Sequence, residues 1–300
     1  MAAISSFLSV DSLSVSYNIN GQQTPVVDNV SLSQDKGEII GLVGESGCGK
    51  SQLALALAEL ASKQANVHME ASVLPKNPAI IFQDPQTSLN PVIKIGKQIE
   101  EAVAQEIPDK KASILELLEQ VGIDDPNSRI NQYPHEFSGG MQQRALIAMA
   151  LAQNPDLLIA DEPTTALDVT IQKQILDLLK SLNKEKNLAI LFITHDLVLL
   201  REFAEKILVM YAGKIIESGT AKNIFENPKH PYTKALISVS SLEKKENRFN
   251  AIPGSVPLPA EYPSGCRFHP RCDLAVDSCK SSLPEFQDIE MHSWACTEVN

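Results

Sequence analysis

A glycine-rich segment near the N-terminus has the residue types and spacing of a phosphate-binding loop. Gly44 to Ser51 read Gly-Glu-Ser-Gly-Cys-Gly-Lys-Ser and follow directly on the apolar run 39–43. In such a loop the backbone N–H groups surround a nucleotide phosphate, and the following helix presents its N-terminus to that phosphate. Lys50 is expected to reach the outer phosphates, and the Ser51 hydroxyl to bind Mg²⁺. The sequence therefore predicts a strand, a loop and a helix that bind a nucleoside triphosphate.

Two acidic residues end a second apolar segment. Residues 157–160 predict a buried strand, and Asp161 and Glu162 follow it. A carboxylate at the end of such a strand can hold Mg²⁺, and the next carboxylate can orient and deprotonate an attacking water. Two acids after a strand can also be an ordinary solvated strand end. The phosphate loop upstream favours the catalytic interpretation, with Asp161 on the metal and Glu162 as the catalytic residue.

Ser138 begins a predicted helix that runs through an alanine-rich stretch to Ala152. Serine is a favoured N-cap residue, and Gly139 and Gly140 leave the first backbone N–H groups of the helix accessible to an anion. An N-cap alone does not require two glycines, so the pair indicates a further function.

This Ser-Gly-Gly-Met-Gln segment, followed by Leu-Leu-Ile-Ala-Asp-Glu-Pro, resembles the signature and Walker B sequences of ABC-type ATPases. The resemblance implies an α/β P-loop fold with a RecA-like core, an antiparallel β subdomain and a helical subdomain. It also implies a dimer that holds two ATP molecules with Mg²⁺ between its protomers.

Further positions match this family one by one. Gln83, after 79–82, resembles the Q-loop glutamine, and Ala166-Leu167-Asp168 resembles the D-loop. His195, after 191–194, resembles the switch histidine that contacts the γ-phosphate. Tyr17 resembles the aromatic residue that stacks on adenine, although a strand tyrosine is commonly structural.

The resemblance thereby assigns a complete set of site residues. Those implied to catalyse hydrolysis are Glu162, His195 and Gln83. Those implied to bind the subunit's own ATP are Tyr17, Gly44, Glu45, Ser46, Gly47, Cys48, Gly49, Lys50, Ser51 and Gln52. Those implied to contact the ATP of the partner subunit are Ser138, Gly139, Gly140, Gln142 and Asp168. Those implied to bind Mg²⁺ are Ser51, Gln83 and Asp161.

The match extends to segments 83–91, 133–137 and 227–233, which resemble the ATPase subunits of oligopeptide and dipeptide importers, a group that includes nickel importers. The resemblance implies an ATPase that drives peptide import at the cytoplasmic face of a bacterial inner membrane. Its implied partners are two permease subunits, a second homologous ATPase subunit and, indirectly, a substrate-binding protein. Dipeptide, longer peptide and nickel remain open as cargo.

The same comparison gives expected domain limits. Residues 1–235 are the expected ATPase domain, with a helical and signature subdomain at 84–150, and residues 236–300 a Cys-rich C-terminal extension. A helix near 110–121 is predicted from its amphipathic pattern. The stretch after the phosphate-loop helix, which is expected to end near Ala61, contains Pro75 and Pro78, so we predict a loop there and a reduced antiparallel sheet.

Composition restricts the alternatives. The net charge of −11 disfavours direct binding to nucleic acid, and no apolar run reaches the roughly 18 residues of a membrane span. Residues 1–35 contain no Lys or Arg, so a secretory signal is not expected. We therefore expect a cytosolic protein. Two other classes are a soluble ABC protein that acts on DNA or ribosomes, and a redox-sensing regulator. The first usually has two cassettes or a long coiled coil, which are not seen here.

Four of the five cysteines lie near the C-terminus with the spacing C-x5-C-x6-C-x16-C. A short proline-rich tail buries little core, and four thiols in a reducing compartment indicate an iron–sulfur cluster, zinc or free thiols. Some peptide-importer ATPases that resemble residues 265–272 hold a [4Fe-4S] cluster, which favours that cofactor over zinc, with His269 and His292 as further zinc candidates. The tail is distant in sequence from every phosphate contact, so we expect it to affect ATP affinity little. The cluster ligands would be Cys266, Cys272, Cys279 and Cys296.

The fifth cysteine, Cys48, lies inside the phosphate loop. We interpret it as a small residue with a structural role. The alternative is a regulatory thiol, because a helix N-terminus can lower the pKa of a cysteine.

Overall fold

A computed structural model describes residues 7–165, 167–240 and 252–299. Its strands are β1 (Leu8–Ile19), β2 (Gln22–Gln34), β3 (Ile39–Val43), β4 (Ala65–Val73), β5 (Pro78–Ile81), β6 (Leu157–Asp161), β7 (Ala189–Thr194), β8 (Lys206–Tyr211), β9 (Lys214–Thr220), β10 (Gln287–Ile289) and β11 (His292–Trp294). Its α-helices are α1 (Lys50–Leu57), α2 (Pro85–Ser88), α3 (Ile95–Ala102), α4 (Lys110–Gln120), α5 (Pro126–Arg129), α6 (Gly139–Ala152), α7 (Val169–Lys186), α8 (Leu197–Phe203), α9 (Ala221–Glu226), α10 (Pro231–Ser240) and α11 (Asp277–Ser281).

The chain divides into two compact units. The first comprises residues 1–74 and 192–300, and the second comprises residues 75–191. Strand β7 crosses the division. Each unit combines strands with helices, which confirms the predicted α/β class.

The first unit contains an antiparallel sheet of three strands in the order β2-β1-β4. The central strand β1 buries Leu8, Val10, Leu13 and Val15. Val15 lies opposite Val27 of β2 and Val67 of β4. Cross-strand contacts of β-branched side chains are favourable, so β1 anchors both of its neighbours.

The predicted loop after the phosphate-loop helix is wrong. Helix α1 ends at Leu57, before the expected end near Ala61, and residues 65–73 form strand β4. The sequence signal is the period-two alternation of apolar residues at 65, 67, 69, 71 and 73, which is typical of a strand. Pro75 and Pro78 bound the segment on its C-terminal side and do not interrupt it. The chain therefore retains a third strand in this sheet.

The other sheet strands of the first unit follow the order β10-β11-β9-β8-β3. Strands β3 and β8 are parallel, whereas β8 and β9 are antiparallel and so are β9 and β11. Every residue of β3 is buried, and only Lys206 of β8 is not fully buried. Continuous apolar runs of this kind are typical of parallel strands covered on both faces. The carboxyl end of β3 leads directly into Gly44.

The second unit pairs β5 and β6 in parallel and packs α6 against β5. Helix α4 packs against α3 and α6 and buries Ile114, Leu117 and Leu118. The predicted helix at 110–121 and its apolar face are thus confirmed. Among the described residues, no helix combines the length and apolar character that crossing a bilayer requires.

Candidate functional site

The predicted strand, loop and helix around the phosphate motif are all present in the first unit. Gly44 to Gly49 connect β3 to α1, and Gly49 precedes the helix with a φ of 105°, a conformation that glycine adopts without strain. Gly44 approaches a neighbouring strand so closely that a Cβ would lie 2.2 Å from the Met210 carbonyl oxygen. Both glycines are therefore required by the backbone as well as by the motif.

Lys50 is the first residue of α1, and its side chain turns back into this loop. Its side chain is only 5% exposed, and its Nζ donates hydrogen bonds to the carbonyl oxygens of Gly44 (2.8 Å) and Glu45 (3.1 Å). The ammonium group therefore lies where a phosphate held by the loop would need a counter-charge. Ser51 follows at an exposed position, so its hydroxyl is open to solvent and ligands.

Cys48 is fully buried beneath the loop. Burial raises the pKa of its thiol, and the nearby Lys50 ammonium only partly opposes this effect. The thiolate that a regulatory cysteine requires is thus disfavoured. The structural interpretation of Cys48 agrees with the geometry.

Tyr17 and Gln52 are brought together in the first unit. The Tyr17 hydroxyl donates to Gln52 Oε1 at 2.5 Å, linking β1 to α1. The tyrosine is half-buried, which leaves part of its ring exposed beside the phosphate-loop helix.

His195 also lies in the first unit, directly after β7. It is exposed, and the residue that follows it, Asp196, caps α8 by accepting a hydrogen bond from the Val198 N–H. The strand end predicted from residues 191–194 is confirmed, and the cap fixes the backbone just beyond the histidine.

The predicted carboxylates end strand β6 of the second unit. Asp161 is 7% exposed, and Glu162 has a φ of 48°, in the left-handed region that non-glycine residues seldom adopt. Glu162 Oε2 accepts hydrogen bonds from Gln83 Nε2 (3.2 Å) and from Thr165 Oγ1 (3.0 Å). Strained residues held by their surroundings cluster at functional sites, so this geometry favours a functional carboxylate. Thr165 was not among the predicted residues.

Ser138 caps α6 as predicted, and its Oγ accepts from the Met141 N–H at 3.3 Å. The two glycines that follow differ in their surroundings. Gly139 is exposed, and a Cβ added there would have Leu167 Cδ2, at 3.7 Å, as its nearest neighbour. Gly140 is buried, and a Cβ there would lie 2.8 Å from Ile171 Cγ2. Gly140 is thus explained by packing inside the second unit, whereas Gly139 leaves an open helix N-terminus.

Two further predicted residues of the second unit have structural contacts. Gln142 Nε2 donates to the Pro134 carbonyl at 2.8 Å. Asp168 caps α7, because its Oδ1 accepts from the backbone N–H groups of Thr170 and Ile171 at 3.0 Å each. Ala166 of the predicted D-loop lies outside the described residues.

Sequence reasoning also missed two residues that hold the phosphate loop. Arg271 forms a bidentate ion pair with the Glu45 carboxylate, and the Tyr232 hydroxyl accepts from the Glu45 N–H. Their only sequence signal is that each lies in a segment that resembles importer ATPases. Chain distance concealed their proximity to the loop.

The C-terminal cysteines come together in the first unit. All four line one small cavity together with His230, Phe268 and His269. Burial raises the pKa of Cys266, Cys272 and Cys296, and the nearness of the other thiols adds to the effect. The described residues nevertheless contain no group of three or more His, Cys, Asp or Glu side chains arranged to hold a metal ion. The thiols thus share a cavity without the spacing that a metal-ion site requires.

Comparison with known families agrees with the phosphate-loop geometry. Residues 27–165 match the ABC transporter family, and residues 216–279 match the oligopeptide/dipeptide transporter C-terminal region. Together with the buried lysine of the loop, the first match defines a P-loop ATPase of the ABC class.

Three relatives narrow this class. The chain is 45% identical over 311 residues to the dipeptide transport ATP-binding protein DppD of Haemophilus influenzae, covering 96% of this chain and 94% of that protein. It is 44% identical to DppD of Escherichia coli K12, over 92% of this chain and 91% of that protein. It is 40% identical to a putative peptide import ATP-binding protein of Brucella ovis, over 95% and 94%. The chain therefore belongs to the ABC transporter ATPases, in the group that carries the oligopeptide/dipeptide transporter C-terminal region.

Solved structures support the same fold. The chain is similar to cbiO1 of Clostridium perfringens, part of the ABC transporter complex cbiONQ, with a TM-score of 0.62 and 25% identity over 74% of this chain and 91% of that one. It is also similar to the ATP-binding cassette MJ0796 in a dimeric post-hydrolysis state bound to ADP and Pi, with a TM-score of 0.60 and 26% identity over 71% and 98%. These likenesses confirm the P-loop ABC fold.

The different surroundings of the two glycines predict different effects on stability. Gly140→Ala should lower the free energy of unfolding by about 1–3 kcal/mol, because its methyl group would overlap Ile171. Gly139→Ala, the matched control, should change it by less than about 0.5 kcal/mol, since its methyl group would make only an ordinary van der Waals contact with Leu167. Urea denaturation measures both values. Equal costs would contradict the packing explanation of Gly140.

Proposed function

We propose that this chain is the ATP-hydrolysing subunit of a peptide importer. The observation that carries the proposal is the phosphate loop with Lys50 inside it, in a chain whose relatives are named dipeptide transport and peptide import ATP-binding proteins. Peptide is favoured over nickel as cargo because those names specify peptides. The nucleotide-binding part would span residues 1–235, with its helical and signature part at 84–150, and the extension residues 236–300.

In the proposed reaction the loop N–H groups and Lys50 hold the phosphates of ATP, and Tyr17 contacts the adenine. The Ser51 hydroxyl and the carboxamide and carboxylate oxygens of Gln83 and Asp161 are hard oxygen donors of the kind that Mg²⁺ prefers. These three residues would hold the ion. Bound Mg²⁺ supplies neutralisation of the charge that develops on the phosphate oxygens. His195 would contact the γ-phosphate.

Glu162 would orient the attacking water and accept its proton. The hydrogen bonds from Gln83 and Thr165 support this role, since they fix the orientation of the carboxylate. Phosphoryl transfer depends mainly on positioning and electrostatic stabilisation, so a fixed carboxylate contributes more than a mobile one.

The signature residues support a two-subunit site. Ser138 and Gly139 are exposed at the start of α6, where free N–H groups and the helix dipole favour an anion. We propose that Ser138, Gly139, Gly140, Gln142 and Asp168 contact the ATP of a second, homologous ATPase subunit. The pair would bind two permease subunits at the cytoplasmic face of the membrane, and a substrate-binding protein would be an indirect partner through the permease.

For the cysteine tail we propose a [4Fe-4S] cluster held by Cys266, Cys272, Cys279 and Cys296. The fit rests on the thiol set, which lines one cavity in a largely apolar surrounding. The cluster would order the tail and supply a structural cross-link.

Glu162→Gln should preserve ATP binding and lower turnover at least about 100-fold, because the loop still holds phosphate while no carboxylate remains to accept a proton. ATP-bound dimers should then accumulate on sizing. Glu116→Gln, the same change at an exposed position of α4, is the control. Near wild-type turnover of the Glu162 variant, with the partner subunit present, would overturn the assignment.

Ser138→Arg should abolish most hydrolysis at the partner's ATP, because the arginine would fill the space that the nucleotide needs. Turnover of the wild-type pair should rise with protein concentration as dimers form. Glu119→Arg, a similar change at an exposed site on α4, should leave turnover unchanged. A turnover rate per subunit that is independent of concentration would contradict the shared site.

The cysteine proposal predicts brown protein with iron and acid-labile sulfide after anaerobic purification. Cys272→Ser should lose the colour, whereas Cys48→Ser should keep it, because Cys48 lies in the phosphate loop and outside the cysteine cavity. Metal analysis and visible absorbance measure both. Stoichiometric zinc without iron, or no metal at all, would disprove the cluster.

A further inference from the structure

Glu45, the second residue of the phosphate loop, is held at three of its polar groups. Its carbonyl oxygen accepts from Lys50, and its backbone N–H donates to the Tyr232 hydroxyl at 2.9 Å. Its carboxylate accepts two hydrogen bonds from Arg271, at 2.8 Å from Nη1 and 3.0 Å from Nη2. Two of the three contacts thus come from the C-terminal part of the chain.

The Arg271 guanidinium is itself firmly positioned. Its side chain is 6% exposed, and it lies over the rings of Tyr211 and Phe268. Burial alone would lower the pKa of Arg271, but the hydrogen bonds with Glu45 and Tyr211 outweigh burial and raise it. Further acceptors are the carbonyls of Pro253 (2.7 Å), Ile252 (3.3 Å) and Gly254 (3.4 Å) and the Tyr211 hydroxyl (3.3 Å). An arginine with this many fixed partners costs little extra entropy when it binds a carboxylate.

The pair solves an electrostatic problem of the loop. A carboxylate beside a phosphate-binding loop repels the phosphate unless a cation compensates it, and partial burial makes the repulsion stronger than it would be in water. Lys50 already donates hydrogen bonds to the loop carbonyls and, in the proposed function, binds the phosphate, so another cation has to pair with Glu45. Arg271 neutralises the charge of the Glu45 carboxylate and also restricts its rotation.

The expectation that the tail affects ATP affinity little was drawn from its distance in sequence, but that distance does not separate the tail from the phosphate loop in the fold. Arg271 and Glu45 are 226 residues apart in the chain, yet they form a bidentate ion pair. Arg271 immediately precedes Cys272, so the cysteine segment continues directly into a contact with the loop.

We propose that Arg271 is a positioning residue for the phosphate loop, and that through Glu45 it sets the affinity for nucleotide phosphates. The proposal rests on the proposed function, since it assigns the loop to ATP. Tyr232 acts in the same sense through the Glu45 N–H, so the C-terminal part of the chain contributes to nucleotide binding without contacting the nucleotide.

The test is a double-mutant cycle on the full chain, with ATP titrated calorimetrically in the presence of EDTA so that no hydrolysis occurs. Arg271→Gln should raise the Kd for ATP about tenfold, the effect of losing one charge-assisted pair. Glu45→Gln should raise it less, because no unpaired carboxylate remains near the phosphates. The double variant should bind ATP more tightly than Arg271→Gln alone, a rescue that a merely structural role for Arg271 would not give.

Arg267→Gln is the matched control. Arg267 lies in the same segment, is also mostly buried, and pairs with Asp28 instead of a loop residue. Its Kd for ATP should stay within about twofold of wild type. Iron content and thermal unfolding are measured for every variant, so that unfolding of the tail is distinguished from loss of the ion pair alone.

Three results would overturn the proposal. They are an unchanged Kd in Arg271→Gln, additive effects in the double variant, and an equal loss of affinity in Arg267→Gln. If wild-type protein itself does not bind ATP, the proposed function fails and not this inference alone. Wild-type binding with no effect of Arg271→Gln refutes the positioning role only.

Discussion

The phosphate loop must leave its backbone N–H groups open to an anion and must also stay rigid. Much of the first unit supplies the contacts that meet this requirement. A loop cannot satisfy its own polar groups and also offer them to a ligand, so its shape has to be fixed from outside. Lys50 fixes it from within through two carbonyls, and Gly44 allows the backbone to pack onto Met210. Glu45 is fixed through the C-terminal part of the chain. The buried strands β3 and β8 supply the support on which these contacts depend.

The carboxylate that we propose as catalytic is positioned in a different way. Glu162 follows a buried strand in a left-handed conformation, and its oxygen accepts from two side chains of the second unit. Backbone strain at this position costs free energy that the surrounding strand and hydrogen bonds offset. The benefit is orientation, because the two hydrogen bonds restrict rotation of the Glu162 carboxylate.

Local features of both units could be predicted from the sequence. The strand before Gly44, the Ser138 cap and helix α4 follow from apolar periodicity and cap chemistry, which act over a few residues. Strand β4 is also predictable from the sequence, since its apolar alternation is complete. The two prolines that follow it favoured a loop instead, although they lie outside the strand. The Arg271 contact with Glu45 could not be predicted from the sequence. No local pattern encodes the approach of two segments that only the complete fold brings together.

The cysteine segment is better understood as part of the phosphate-loop surroundings than as an appended module. Phe268 is 3% exposed and packs against the rings of Tyr211 and Tyr232 at centroid distances of 5.2 and 5.3 Å. The residues between Cys266 and Cys272 thus supply an aromatic side chain to the core and an arginine to the loop. A chain that orders this segment, by a cluster or otherwise, also fixes the partner of Glu45. The coupling is reciprocal: loosening the cysteine segment would weaken the ion pair, and loss of the ion pair would loosen the segment and, in the proposed function, leave a carboxylate uncompensated beside the phosphate.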